Sequence, residues 1–172
     1  LDSLLAQFSD GGAALIHLLS VSPASIEKII ADPTALDWVA LPEIHGGVRG
    51  PGRMLGDYRA VVGEGNDAAN GFHSLRRWKA RETLRIALRE VAGWSSVEST
   101  TLELTHVAEQ CLRLVLEPSY ADLTRRLGEP ASSFAVLGMG KFGGQELNYS
   151  SDIDLIFFYG EDGSLPSGLS CH

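Results

Sequence analysis

Residues 134–160 read Phe134-Ala-Val-Leu-Gly-Met-Gly-Lys-Phe-Gly-Gly-Gln-Glu-Leu-Asn-Tyr-Ser-Ser-Asp-Ile-Asp-Leu-Ile-Phe-Phe-Tyr-Gly160, and the fold turns on how this stretch divides. The apolar run Phe134 to Leu137 predicts a buried strand. It breaks into a loop carrying Gly138, Gly140, Gly143 and Gly144. A short helical, polar segment follows. A second apolar strand then carries Asp152 and Asp154 at its start. In a strand, residues i and i+2 project to one face, so the two carboxylates point together, with Ile153 and Leu155 turned away. Carboxylates held that close repel unless a cation lies between them. Hard oxygen donors of this kind suit Mg²⁺, which takes one or two carboxylates and completes its shell with phosphate oxygens.

The loop supplies the complementary half. Glycines let a ligand approach the backbone closely, and N–H groups at such a turn can cradle phosphate. A glycine-rich turn alone is usually only a turn, and Asp-Ile-Asp alone is usually a solvated strand end. In this order and at this spacing they point to metal-dependent nucleotidyl transfer. The expected site comprises Asp152 and Asp154 as catalytic and metal-binding residues. Gly138, Gly140, Lys141, Gly143, Gly144 and Ser151 are the expected nucleotide- or phosphate-binding residues.

The run from Gly138 to Phe158 closely resembles the signature of the bacterial glutamine synthetase adenylyltransferases, whose catalytic domains belong to the polymerase β-like nucleotidyltransferase superfamily. Upstream, Leu75-Arg-Arg-Trp-Lys-Ala-Arg-Glu-Thr-Leu-Arg-Ile-Ala-Leu-Arg-Glu90 resembles the arginine-rich helix before the family's first catalytic domain. The resemblance covers about half the chain. It implies a bifunctional parent with two such domains, one removing AMP from a tyrosine of glutamine synthetase by phosphorolysis and one adding it. Glu146-Leu-Asn-Tyr-Ser-Ser-Asp152 is similar to the removing variant. In the adding domain, Gly is more frequent at the position of Asn148, and Gly-Ser more frequent before the aspartates. The resemblance further implies Mg²⁺ (or Mn²⁺), ATP or ADP, and phosphate as cofactor and substrates. It implies glutamine synthetase and a nitrogen-signalling regulatory protein as partners. The family's third carboxylate lies on a later strand, beyond His172. Glu161 and Asp162 come too soon after the strand to fold back in its place. On this reading the chain is a piece of a longer enzyme and is inactive by itself. Two alternatives stay open: another polymerase β-like nucleotidyltransferase, of uridylyl- or aminoglycoside-type, and a non-catalytic helical interaction module.

Composition agrees with a cytoplasmic globular chain. With 172 residues, 44% hydrophobic, it can bury a core. A net charge of −8 argues against nucleic-acid binding. No apolar run approaches a membrane span, and Asp2 and Asp10 do not fit a signal peptide. Cys111 and Cys171 are too few for a disulfide framework, and Cys111 reads as a small core residue. His17, His45, His73, His106 and His172 share no metal spacing, and His45 and His73 fall in or near loops.

The fold class expected is α+β: a helical segment over 1–130, then the start of a nucleotidyltransferase domain over 131–172 with an incomplete mixed sheet. Ser22-Pro23 predicts a helix start and Asp32-Pro33 its end. Residues 42–56, with Pro42, Pro51 and five glycines, read as a loop. A second loop over 63–71 precedes a helix over 72–92, stopped by Gly93. Thr100 and Glu103 read as a capping box for a helix ended by Pro118. A short helix then covers 120–127, with Gly128 as its stop. On the long helix, Arg77, Arg81, Arg85 and Arg89 recur every fourth residue and form one stripe. Either their stems cover the core edge, with Glu82 and Glu90 as partners, or the stripe faces the catalytic cleft and meets phosphate or an acidic surface.

Overall fold

The computed structural model describes residues 11–41, 43, 46–62, 68–130, 132–160, 163–164 and 170–171. Among the described residues the helices α1 (Gly12–Val21), α2 (Pro23–Ala31), α3 (Ala35–Val39), α4 (Pro51–Val62), α5 (Ala68–Val91) and α6 (Val97–Leu127) come first. Then come β1 (Phe134–Met139), the one-turn α7 (Gly140–Gly143), β2 (Asp154–Tyr159) and the short strands β3 (Gly163–Ser164) and β4 (Ser170–Cys171). β1 and β2 pair antiparallel from Phe134↔Tyr159 to Met139↔Asp154. β3 and β4 form a second antiparallel pair, which sequence reasoning did not anticipate. The mainly helical segment followed by a small sheet is the α+β architecture expected. No single helix among the described residues is long and apolar enough to cross a membrane.

Local chemistry explains the helix ends. The Ser22 hydroxyl accepts from the Ser25 N–H, and Pro23 opens α2. Asp32 closes it before Pro33. Gly93 (φ 73°) follows α5 and Gly128 (φ 91°) follows α6. Other boundaries differ from the sequence reading. The loop expected over 42–56 ends at Gly50, because Pro51 takes the first helical position of α4 and Met54 is fully buried. α5 begins at Ala68 rather than at 72, and His73 lies within it. Thr100 and Glu103 do not cap α6. Ser96 does, accepting from the Ser99 N–H at 3.2 Å. Pro118 does not end this helix, which runs on to Leu127. Pro118 is on the exposed side, where the carbonyl it leaves unbonded can reach water. Expectations for Asp2, Asp10, His45, His172, Glu161 and Asp162 fall outside the described residues.

α5 is the central element. One side packs Leu84 and Leu88 against Leu15 and Leu18 of α1 and Ala35 and Val39 of α3. The other packs Leu75, Trp78 and Ile86 against Met54 of α4 and Leu104 and Val107 of α6. Cys111 packs at the margin of this second cluster as expected, and burial pushes its thiol up to about 11. Leu147, from the turn before the aspartates, is 3% exposed and belongs to the same cluster. The helical core therefore holds the loop that leads to the site.

The arginine stripe faces helices, not the catalytic turn. Arg77 and Arg81 donate to Asp32 Oδ2 at 2.9 and 2.7 Å. Arg85 bridges Glu82 at 2.9 Å and Glu103 at 2.5 Å, and Arg89 also pairs with Glu103. Arg49 joins the network through Glu82 at 2.9 Å and Asp57 at 2.6 Å, while its backbone N–H donates to Glu103 Oε1. The cleft-facing alternative is thus overturned: each arginine is spent on a carboxylate inside the helical segment. Glu82 is a partner as expected. Glu90 is not, for it accepts from a tyrosine.

Burial alone would raise the Asp32 carboxyl, but hydrogen bonds from Arg81, Arg77 and Thr34 hold it well below the usual carboxylate range. A depressed pKa stabilises the fold above the unfolded value, about 3.9, and that stability disappears as pH falls through the folded value. Asp32→Asn should therefore cost about 1–2 kcal/mol at pH 7 and progressively less below about pH 4. Urea unfolding of both chains at pH 7 and pH 3 checks this.

The strands differ from expectation in burial. Phe134 and Leu137 of β1 are 48% and 49% exposed, and Ile156, Phe157, Phe158 and Tyr159 of β2 are also exposed. A two-stranded sheet has no second layer over most of either face, so apolar residues that pattern as buried remain open to solvent.

Candidate active site

β1 runs into α7 at Gly140, and the chain returns through residues 144–153 to β2. Asp154 is the first residue of β2 and pairs with Met139, the last of β1. It therefore sits beside the start of α7. Asp152 lies two residues earlier, before the ladder begins, rather than within the strand as the alternation argument assumed. Both aspartates are exposed.

Gly140 has φ +52°, a left-handed conformation that favours glycine, and a Cβ there would lie 3.0 Å from Asp154 Oδ2. The absence of a side chain at 140 keeps open the space against this carboxylate. Gly143 is required for a different reason: a Cβ there would lie 2.4 Å from the Gly138 carbonyl oxygen. Gly138 itself pairs with Leu155 and lies under the Phe142 ring. Gly144 is more tolerant. Its φ of −81° is ordinary, its N–H donates to the Gly140 carbonyl at 3.0 Å, and its nearest Cβ neighbour would be that same oxygen at 3.4 Å. Gly143→Ala should therefore cost about 2–3 kcal/mol by overpacking the turn, and Gly144→Ala less than about 0.5. Thermal melts of the two variants check the contrast. Lys141 is exposed and forms no ion pair among the described residues.

After α7 the chain turns through Gln145, the one non-glycine residue of positive φ among those described (60°). The Glu146 N–H donates to the Lys141 carbonyl at 2.8 Å and the Gln145 N–H to Phe142 at 3.2 Å, which is the double-bonded helix end usually given to glycine. The next residues are tied down one by one. The Leu147 N–H donates to Thr105 Oγ1 of α6 at 3.4 Å. Asn148 Oδ1 accepts from the Ser150 N–H at 3.1 Å and the Ser151 hydroxyl at 2.9 Å. The Ser151 oxygen in turn accepts from the Asn148 N–H at 3.0 Å. Ser151 thus serves first to close the turn before Asp152, a role that its position next to an aspartate did not suggest. Tyr149 Oη donates to Glu90 Oε2 at 2.6 Å. Burial and the adjacent Glu90 carboxylate push the phenol far above its ordinary value, so it remains a donor. Sequence reasoning missed this pair, because nothing local links residues 59 positions apart.

The donor set fits a hard divalent ion completed by phosphate oxygens: carboxylates only, exposed, with the glycine-lined space against Asp154. No cluster of three or more His, Cys, Asp or Glu suited to a metal occurs among the described residues.

A glycine turn is thus laid against the first carboxylate of the following strand, behind a helical lead-in. The chain belongs to the glutamate-ammonia ligase adenylyltransferase family, whose model matches residues 12–170. It is similar to the bifunctional glutamine synthetase adenylyltransferase/adenylyl-removing enzyme of Methylococcus capsulatus, 41% identical over 116 residues, or 64% of this chain and 12% of that protein. The protein of the same name from Nitrosococcus oceani is 46% identical over 96 residues, 52% of this chain and 10% of that protein. That from Thioalkalivibrio sulfidiphilus is 40% identical over 118 residues, 65% of this chain and 12% of that protein. The chain thus spans about an eighth of the length of these relatives.

Proposed function

We propose that this chain carries the first part of the site that removes AMP from an adenylylated tyrosine of glutamine synthetase. Phosphate is the nucleophile, ADP the product, and the tyrosine hydroxyl the leaving group. One phosphate oxygen bonds to the adenylyl phosphorus while the bond from phosphorus to the tyrosyl oxygen breaks. The freed oxygen takes up a proton. The observation that carries the reading is the juxtaposition of Gly140 and Asp154, which leaves room for a ligand directly against a carboxylate.

Asp152 and Asp154 would hold Mg²⁺ or Mn²⁺. The ion, when bound, would neutralise charge that develops on the phosphate oxygens. The turn from Gly138 to Gly144 and the Lys141 ammonium orient the phosphate groups of the nucleotide and of the attacking phosphate. Ser151 and Asn148 fix the approach to Asp152. The residue type at 148, asparagine where the adding variant more often has glycine, favours the removing direction, and here its side chain makes two of the bonds that close the turn. The bifunctional names of the relatives are compatible with a second, adding site elsewhere in a longer chain, with a nitrogen-signalling protein that sets the balance, and with work in the cytoplasm.

The product identifies the chemistry. A chain of the relatives' length, given adenylylated glutamine synthetase, Mg²⁺ and phosphate, should release ADP. Release of AMP, independent of phosphate, would make the reaction a hydrolysis and overturn the reading.

A further inference from the structure

The segment that delivers the aspartates is attached to the helices at two points. Leu147 is buried among α4, α5 and α6 and bonds to Thr105, and Tyr149 bonds to Glu90 near the end of α5. The second attachment is the unusual one. Tyr149 is 44% exposed, so its ring contributes little core. What it contributes is the hydroxyl, directed at a carboxylate. That carboxylate is also exceptional for its position. Glu82, on the same helix, is consumed by Arg49 and Arg85, whereas Glu90 forms no ion pair among the described residues although Arg89 is its neighbour. A charge-assisted hydrogen bond of 2.6 Å is short and directional, and it holds the chain three residues before Asp152.

We propose that Glu90 and Tyr149 are positioning residues for the active site, coupling the arginine-rich helix to Asp152 and Asp154 through the Glu90–Tyr149 hydrogen bond. This rests on the reading of the two aspartates as metal-binding. In this view the helix acts on the site through Glu90, which forms no ion pair among the described residues, not through its arginines. Loss of the bond frees the turn between Leu147 and the strand, and displacement of a ligand by about 1 Å is enough to weaken a site of this kind severely.

The test is Mn²⁺ affinity in the presence of ADP, read from the electron paramagnetic resonance of free Mn²⁺, in a chain of the relatives' length. Asp154→Asn is measured in parallel, and circular dichroism reports folding. Tyr149→Phe and Glu90→Leu should each weaken Mn²⁺ binding about ten-fold, and the double variant no further, because one bond is lost in every case. Glu90→Gln keeps an oxygen acceptor for the phenol and should stay within about two-fold of the unaltered chain. A purely structural role would show as lost helix signal or a lowered melting temperature accompanying the weaker binding, whereas a positioning role weakens binding in chains that melt as the unaltered one does. Tyr149→Phe and Glu90→Leu chains that fold and bind Mn²⁺ normally, while Asp154→Asn does not bind, would overturn the positioning role and leave the metal assignment standing. Normal binding by Asp154→Asn would remove the metal assignment and this inference with it.

Discussion

Asp154→Asn should abolish AMP removal, lowering the rate by at least about 10²–10³-fold, the scale on which a single preorganised electrostatic contact acts. The substitution keeps the shape of the side chain and the backbone pairing with Met139, so the fold should be unchanged. It removes the negative charge that lies against the space left open by Gly140. An amide oxygen is a weak substitute for a carboxylate toward a hard divalent ion. Turnover of adenylylated glutamine synthetase by the variant, alongside its circular dichroism, tests this. A folded variant of normal rate would place the chemistry elsewhere.

Glu103→Ala should destabilise the helical segment by about 3–5 kcal/mol. Glu103 is fully buried, and its two oxygens take Arg85, Arg89 and the Arg49 N–H. Its removal takes the printed carboxylate partner from Arg89 and leaves Arg85 only Glu82. The network has little slack to absorb the loss, because Arg85 Nη1 and Arg89 Nε already lack hydrogen-bond partners among the described residues. The predicted loss is a large share of the stability of an ordinary domain. Guanidinium unfolding of the variant measures it. A loss under about 1 kcal/mol would mean that the carboxylate contributes no more than a surface ion pair does. Glu103→Gln should be milder, since it retains one acceptor.

What sequence alone made visible follows the range of the interactions. Ser22-Pro23, Gly93 and Gly128 mark helix ends because caps and left-handed turns depend on one or two neighbouring residues. The order of strand, glycine turn and aspartates was legible for the same reason. Glu103 was misread as a capping residue because its partners, Arg85 and Arg89, lie on another helix and carry no local mark. Pro118 was misread because a helix with an exposed face can pass through a proline that propensity alone would make a stop. The arginine stripe was visible as a stripe, but its direction depended on where Asp32, Glu82 and Glu103 would fall. The Glu90–Tyr149 bond joins residues whose proximity only the folded chain creates. The apolar run from Phe134 to Leu137 patterns as a buried strand, yet pattern reports what a face requires and not what covers it.

The most direct test of the account is the direction of adenylyl transfer. A chain extended to the length of its relatives, but with any second Asp-x-Asp site inactivated, would be given glutamine synthetase carrying radiolabelled AMP, with Mg²⁺ and phosphate. Separately it would be given the unmodified enzyme with labelled ATP. Phosphate-dependent release of the label as ADP is expected in the first reaction, and no comparable incorporation in the second. Incorporation of label without phosphate-dependent release would contradict it and make the turn of Gly138 to Asp154 the adding site.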